Sequence, residues 1–177
     1  MAVDTFMAYV GVYPDVAAAE EDYDLVKALH TEVGLIDAYD AAVVERRDDG
    51  KVRVGRKHET PTRVGGVLGG GVGLATGLVV ALFPFAGAGL VAATTAGGAI
   101  LGAVAGHAAA GMSRGDLKEL GEHLDAGQAA LVVVGVSDMG AKIEQAMRRA
   151  EKVEAKQLKA DTAAIEADAR GAGGATG

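Results

Sequence analysis

Few side chains in this sequence could do acid–base or metal chemistry, and they lie apart. His58 and Glu59 are adjacent, beside Lys57, and could form a metal-binding or proton-transfer pair. Adjacent side chains on an extended strand point to opposite faces, so these two cannot share one ligand. We therefore expect a surface or lipid-headgroup role for the pair. The chain has no cysteine, which excludes disulfides, thiolate metal sites and cysteine nucleophiles.

His107 is the one titratable side chain between Arg63 and Arg114. An ionisable group inside a membrane segment is often functional, which makes His107 a candidate proton sensor. Its nearness in sequence to Arg114 gives the alternative, a side chain that simply reaches the membrane interface. No Ser/His/Asp set and no acid–base pair stands out, so we expect no enzymatic activity, no cofactor and no metal.

The stretch GGVLGGGVGLATG, residues 65–77, has a glycine at every fourth position. A phosphate-binding loop needs a lysine after its glycines, and none occurs before Lys118. The dinucleotide fingerprint also fails, because the glycine spacing does not fit. Val, Leu and Ala fill the intervals, which is not typical of a flexible linker. Small residues four apart instead let two helices approach closely. The residues predicted to form such contacts are Gly65, Gly69, Gly73, Gly77, Gly98, Gly102 and Gly106.

This pattern predicts a helical hairpin, a glycine zipper, with its bend near Pro84. Residues 64–82 would span about 28 Å as a helix, close to the roughly 30 Å of a bilayer core. Residues 86–112 are longer and could tilt. Arg63 and Arg114 flank the uncharged stretch, and by the positive-inside rule they mark the cytoplasmic membrane boundary.

Two locations follow from this reasoning. We expect a bacterial inner-membrane protein whose folded domain and both termini are cytoplasmic. The alternative is a cytoplasmic assembly that buries its hairpins in its own interior, because so large an apolar surface cannot stay monomeric in water. Either way the expected partner is the chain itself, with a lipid bilayer in the first case. The net charge of −7 argues against a nucleic-acid partner.

The flanks of the uncharged stretch read as ordinary secondary structure. The segment TFMAYVGVY predicts a strand. Asp15 is expected to cap a helix that runs to about Val33, and Asp49-Gly50 is expected to form the turn of a hairpin. Ser113 begins a capping box for a helix with a buried leucine stripe. QAALVVVGV predicts a central strand covered on both faces. The charged remainder predicts a long helix.

Without the apolar stretch, this order is β-α-β-β-α-β followed by a helix. It predicts an α+β, ferredoxin-like domain with an inserted hairpin. The first part of the domain is 1–61, the hairpin 62–112 and the second part 113–137. The charged C-terminal helix is then 138–170, and 171–177 is a disordered tail.

The segments YDAAVV, KHETPT and GMSRGDLKELGEHLDAGQAALVVVG, around a Gly-rich apolar hairpin, carry a resemblance from about Val10 to Met147. The chain resembles a family of small bacterial and archaeal proteins, described as predicted membrane proteins of unknown function. Some members are associated with the general stress response. The resemblance implies membrane location and brings no active-site residue with it.

The sequence therefore predicts a non-enzymatic, membrane-anchored protein that homo-oligomerises through a glycine-zipper hairpin, in a stress-related role. The first alternative is a soluble self-assembling particle or filament with buried hairpins. A second alternative, a small-molecule sensor that uses the sheet face, has no pocket motif to support it.

Overall fold

The computed structural model describes residues 4–31, 39–58, 74–86, 105–125, 128–136 and 140–161, with 163, 164 and 167. Its strands are β1 (Asp4–Tyr13), β2 (Tyr39–Arg46), β3 (Val52–His58), β4 (Ala129–Val136) and β5 (Lys152–Ala160). Its helices are α1 (Val16–Thr31), α2 (Leu74–Ala86), α3 (Arg114–Asp125) and α4 (Gly140–Ala146). Residues 105–110 are also helical.

The five strands form one antiparallel sheet in the order β3-β2-β4-β1-β5. Tyr9 of β1 lies opposite Val133 of β4 on one side and Ala155 of β5 on the other. β1 and β2 both run antiparallel to β4, so they are parallel to each other with β4 between them. β4 is therefore central, as its almost wholly apolar sequence predicts, while β3 and β5 form the edges.

Helices cover both faces of this sheet. The α1 face carries α1 and α4, packed on sheet residues that include Tyr9, Val43 and Leu131. The α2–α3 face carries α2, residues 105–112 and α3, packed on sheet residues that include Val44 and Val132. Because alternate strand residues point to opposite faces, the apolar run of β4 feeds both cores.

Short-range signals in the sequence account for the element boundaries. The Asp15 carboxylate accepts a hydrogen bond from the Ala18 N–H at 2.8 Å, which confirms the predicted cap of α1. The Ser113 hydroxyl accepts one from the Asp116 N–H at 3.1 Å, which confirms the predicted start of α3. Gly50, with φ of 77°, occupies the left-handed position of the β2–β3 turn, where glycine is favoured.

The mixed α+β class is confirmed, but the strand predicted to come third in the ferredoxin-like order, β3, lies at the edge of the sheet. In that arrangement the third strand lies beside the first and the helices share one face. Here β4 takes the place beside β1, between β1 and β2, while α1 and α4 share one face. β3 is an additional edge strand, and α2, residues 105–112 and α3 form a second helical layer on the other face. The physical reason is that β4 is apolar on both sides, so it needs a helical layer above and below it.

The predicted helix over 138–170 is wrong. After the short helix α4 the chain forms β5, which pairs along β1 from Lys152 to Ala160. Lys, Glu, Ala, Gln and Leu favour a helix in isolation, but propensity is weak against tertiary context. The free edge of β1 supplies a full ladder of hydrogen bonds, and Leu158 and Ala160 are buried there. The predicted tail 171–177 lies outside the described residues.

Only part of the predicted hairpin 62–112 is described, namely 74–86 and 105–112. Within the described residues, no helix has both the length and the apolar character needed to cross a membrane. Helix α2 runs through Pro84 and ends at Ala86, so the predicted bend does not occur at Pro84 itself, and the residues from 87 to 104 lie outside the described residues.

Candidate functional site

Helix α2 lies with one side against the sheet. Ala75, Leu78, Val79, Leu82 and Phe83 are buried in the same cluster as side chains of β2 and β4. The sequence of α2 contains no charged residue, so nothing on its surface requires water. The part of the Gly-rich stretch that the structure describes is thus a layer of the folded domain.

Residues 105–112 carry the end of the same stretch across to β5. Ala105, Ala108 and Met112 are buried. The Lys159 N–H of β5 donates a hydrogen bond to the Gly111 carbonyl oxygen at 3.0 Å. A Cβ atom on Gly111 would overlap the Lys159 carbonyl oxygen and lie 2.9 Å from its carbon. Gly111 therefore allows a backbone-to-backbone contact that no other residue could make without displacement.

The predicted zipper glycines are only partly described. Gly77 is buried within α2. Gly106 is exposed, and a Cβ atom there would meet no atom within 4 Å. The other predicted contact glycines lie outside the described residues: Gly65, Gly69, Gly73, Gly98 and Gly102. Gly111, which the four-residue spacing missed, makes the closest backbone approach that the structure describes in this stretch.

The remaining predicted residues of this stretch lie at its borders. Arg114 is exposed at the first position of α3, and Arg63 lies outside the described residues. His107 is half-buried one turn before Gly111, and its carbonyl oxygen accepts a hydrogen bond from the Gly111 N–H at 3.0 Å. His58 is the last residue of β3.

A buried charge cluster on the α1 face was missed from the sequence. Asp22 of α1 is 0% exposed, and its carboxylate accepts hydrogen bonds from the Arg149 N–H at 2.7 Å and from the Arg149 guanidinium at 3.0 Å. The same guanidinium pairs with Glu21 at 2.7 Å. Asp22 follows Ala19 by three residues and precedes Val26 by four, so helical spacing already places it on the buried side. Arg149 thus ties the α4–β5 connection to α1.

Tyr13 lies beside this cluster. It is fully buried, and its hydroxyl has no hydrogen-bond partner among the described residues. Burial, and next the negative charge of Asp22, raise the pKa of Tyr13 well above its ordinary value, although Arg149 opposes the shift. The hydroxyl therefore stays protonated and lies close enough to the Asp22 carboxylate to interact with it.

The described residues offer little room or chemistry for a small molecule. An apolar cavity of about 10 Å³, roughly one water molecule, lies near Val44, Val52 and Phe83. Nowhere in the described ranges do three or more His, Asp or Glu side chains stand close enough to hold a metal ion. The arrangement that the geometry does favour is packing of apolar helices on a sheet.

Comparison with known proteins bears on this stretch. No curated protein and no solved structure matches the chain. A family model described as "Protein of unknown function (DUF1269)" matches residues 66–168, more than half of the chain. The matched range runs from the Gly-rich stretch through β5, and it agrees with the resemblance to a family of unknown function. The chain therefore belongs to the DUF1269 family.

Proposed function

We propose that this is a non-enzymatic, self-associating protein, and that the Gly-rich stretch 62–112 supplies the association surface. The supporting observation is the position of α2 in the fold. This helix is uncharged around its whole circumference. The sheet and α3 bury most of it, and Val80 and Ala81 remain partly exposed. A helix that is apolar on every side is stable when every side is covered. A second copy of the stretch provides that cover.

The position of α2 favours association through protein over insertion of α2 into lipid. Insertion would remove Leu78 and Leu82, both 0% exposed, from their contacts with the sheet. The same insertion would uncover the apolar side chains of β2 and β4 beneath them. An assembly with apolar interiors keeps these contacts and still covers the outer side of α2.

Anchoring to a bilayer is the second candidate function. It is supported by the absence of Asp, Glu, Lys and Arg from residues 64 to 113, which are bordered by Arg63 and Arg114. In this form the undescribed parts of the stretch would contact lipid, with the sheet domain in the cytoplasm. A role in stress response comes from the resemblance alone and is part of the same proposal.

A double substitution of the glycine stripe tests the proposed function. Gly69→Leu with Gly73→Leu fills the groove between facing helices, so we expect a lower oligomer mass by light scattering in detergent-free buffer. Gly115→Leu is the matched control, because Gly115 is exposed on α3 outside the stretch and its added Cβ meets only Ser113 Oγ at 3.8 Å. An oligomer mass that stays unchanged in the double variant contradicts the proposal.

A further inference from the structure

The two edges of the sheet are built differently. β3 has an irregularity in its pairing with β2 between Ala42 and Val44, and it contains Gly55. Bulges and short, twisted edges discourage pairing with another chain. β5 is nine residues long, contains no proline or glycine, and pairs with β1 without a register shift. It is therefore the edge with the regular geometry that another strand needs.

The outward-facing backbone groups of β5 can be assigned. The Lys159 N–H points away from β1, since it donates to Gly111 outside the sheet. Backbone groups of alternate residues point the same way along a strand. Val153, Ala155 and Gln157 therefore direct their N–H and C=O groups outward. Among the described residues, no strand pairs with this side of β5.

The side chains of β5 carry a self-complementary charge pattern. Glu154 and Lys156 lie on the α2–α3 face, one on either side of Ala155, and each side chain is 21% exposed. Within the chain Glu154 pairs with Lys152 at 2.8 Å and Lys156 with Glu119 at 2.7 Å, so a second copy adds a further partner to each charge. When two β5 strands run antiparallel with Ala155 opposite Ala155, each Glu154 lies opposite a Lys156 of the other copy. A register centred on Glu154 or on Lys156 instead places like charges opposite each other, which destabilises a pair.

We propose that β5 pairs with β5 of a second copy, antiparallel and centred on Ala155, which joins two sheets into one of ten strands. The contact of Gly111 with Lys159 limits the ladder at one end. Residues Val153 to Gln157 of one copy therefore pair with Gln157 to Val153 of the other. Ala155 and its counterpart are small, and the exposed Gln157 faces the half-buried Val153 of the other copy. This surface is separate from the stretch 62–112 and does not rest on its proposed function.

Engineered cysteines test the register directly, because the natural chain has none. At the two-fold centre the Cα atoms of paired residues lie about 5.5 Å apart, inside the roughly 4.4–6.8 Å range of a disulfide. Ala155→Cys should therefore give a covalent dimer on oxidation in the full chain. Gln157→Cys is the matched control, since its two copies are offset by four residues, about 14 Å. We expect at least tenfold more covalent dimer from the first variant. Equal yields, or none from Ala155→Cys, overturn the proposal.

Charge variants give an independent test. Glu154→Lys alone and Lys156→Glu alone each place two like-charged pairs in the self-paired register, so each should raise the dimer dissociation constant by about tenfold or more. An equimolar mixture restores two opposite-charge pairs and should associate within about threefold of the wild type. Sedimentation equilibrium measures both, and circular dichroism confirms that each variant is folded. Single variants that associate like the wild type, or a mixture that does not recover, contradict the pairing.

Discussion

The contact between Gly111 and β5 predicts that adding one methyl group, in Gly111→Ala, lowers the stability of the fold. Among the described residues, only Gly50 has a positive φ, so Gly111 is not needed for backbone conformation. It is needed for space, because a Cβ atom would overlap the backbone of Lys159. In Gly111→Ala the segment 107–112 must move away from the end of β5.

The loss in free energy of unfolding follows from the contacts that this movement breaks. The hydrogen bond from the Lys159 N–H to the Gly111 oxygen, 3.0 Å long, is worth about 1 kcal/mol. Overpacking between two backbones costs about 1–3 kcal/mol more, since neither neighbour is a flexible side chain. Gly111→Ala should therefore lower the free energy of unfolding by roughly 2–4 kcal/mol, or about 5–15 °C in Tm for a domain of this size.

Gly106→Ala is the matched control five residues earlier in the chain. Gly106 is exposed in the helical turn, and an added Cβ meets nothing within 4 Å. Since alanine favours a helix over glycine by up to about 1 kcal/mol, this variant should be as stable as the wild type or more so. Urea unfolding followed by circular dichroism measures both variants. A Gly111→Ala protein within about 0.5 kcal/mol of the wild type would refute the packing described for this segment.

Three further predictions test other contacts. Leu78→Ala should lower the free energy of unfolding in urea by about 2–5 kcal/mol, because Leu78 is fully buried against the sheet. Val80→Ala, at a partly exposed position of the same helix, should lower it by less than about 1 kcal/mol. Equal effects of the two variants would contradict the described position of α2. Arg149→Met should cost about 2 kcal/mol by leaving the buried Asp22 carboxylate without its guanidinium, and an unchanged denaturation midpoint would contradict this pairing. Tyr13→Phe should change the free energy of unfolding by less than about 1 kcal/mol, since it removes a buried hydroxyl together with its interaction with Asp22. Because the pKa of Tyr13 is raised in the folded state, its contribution to the free energy of unfolding is fully present below its ordinary pKa of 10.0 and is lost as the pH rises above that value. Tyr13→Phe should therefore flatten the fall in stability at alkaline pH. Identical pH profiles of the variant and the wild type would refute this.

Much of the local structure follows from short-range signals. The Asp15 cap, the Asp49-Gly50 turn and the Ser113 cap each depend on neighbours within four residues, and the structure places all three where the sequence predicts. The leucine stripe of α3 and the apolar run of β4 are also buried as predicted. These features need no knowledge of distant parts of the chain.

The wrong predictions concern elements whose structure depends on contacts with distant parts of the chain. KVEAKQLKA would form a helix by propensity, but it becomes β5 because the edge of β1 is free to pair with it. The ferredoxin-like order predicts β3 inside the sheet, but β3 forms an edge because β4, far along the chain, fills the place between β1 and β2. The burial of Asp22 does not follow from its neighbours in sequence, because its partner Arg149 is 127 residues away. The role of Gly111 does not follow from the four-residue spacing of glycines, because that spacing indicates helix pairs and Gly111 contacts a strand.

Self-association through the Gly-rich stretch is the central claim, and the mass of the purified full chain tests it most directly. The cells are broken without detergent, the membranes are washed with carbonate, and the soluble protein is measured by light scattering. We predict a soluble species whose mass is several times the 17.7 kDa of one chain. Retention in the washed membrane pellet would instead support the bilayer anchor, and a soluble monomer would contradict self-association altogether.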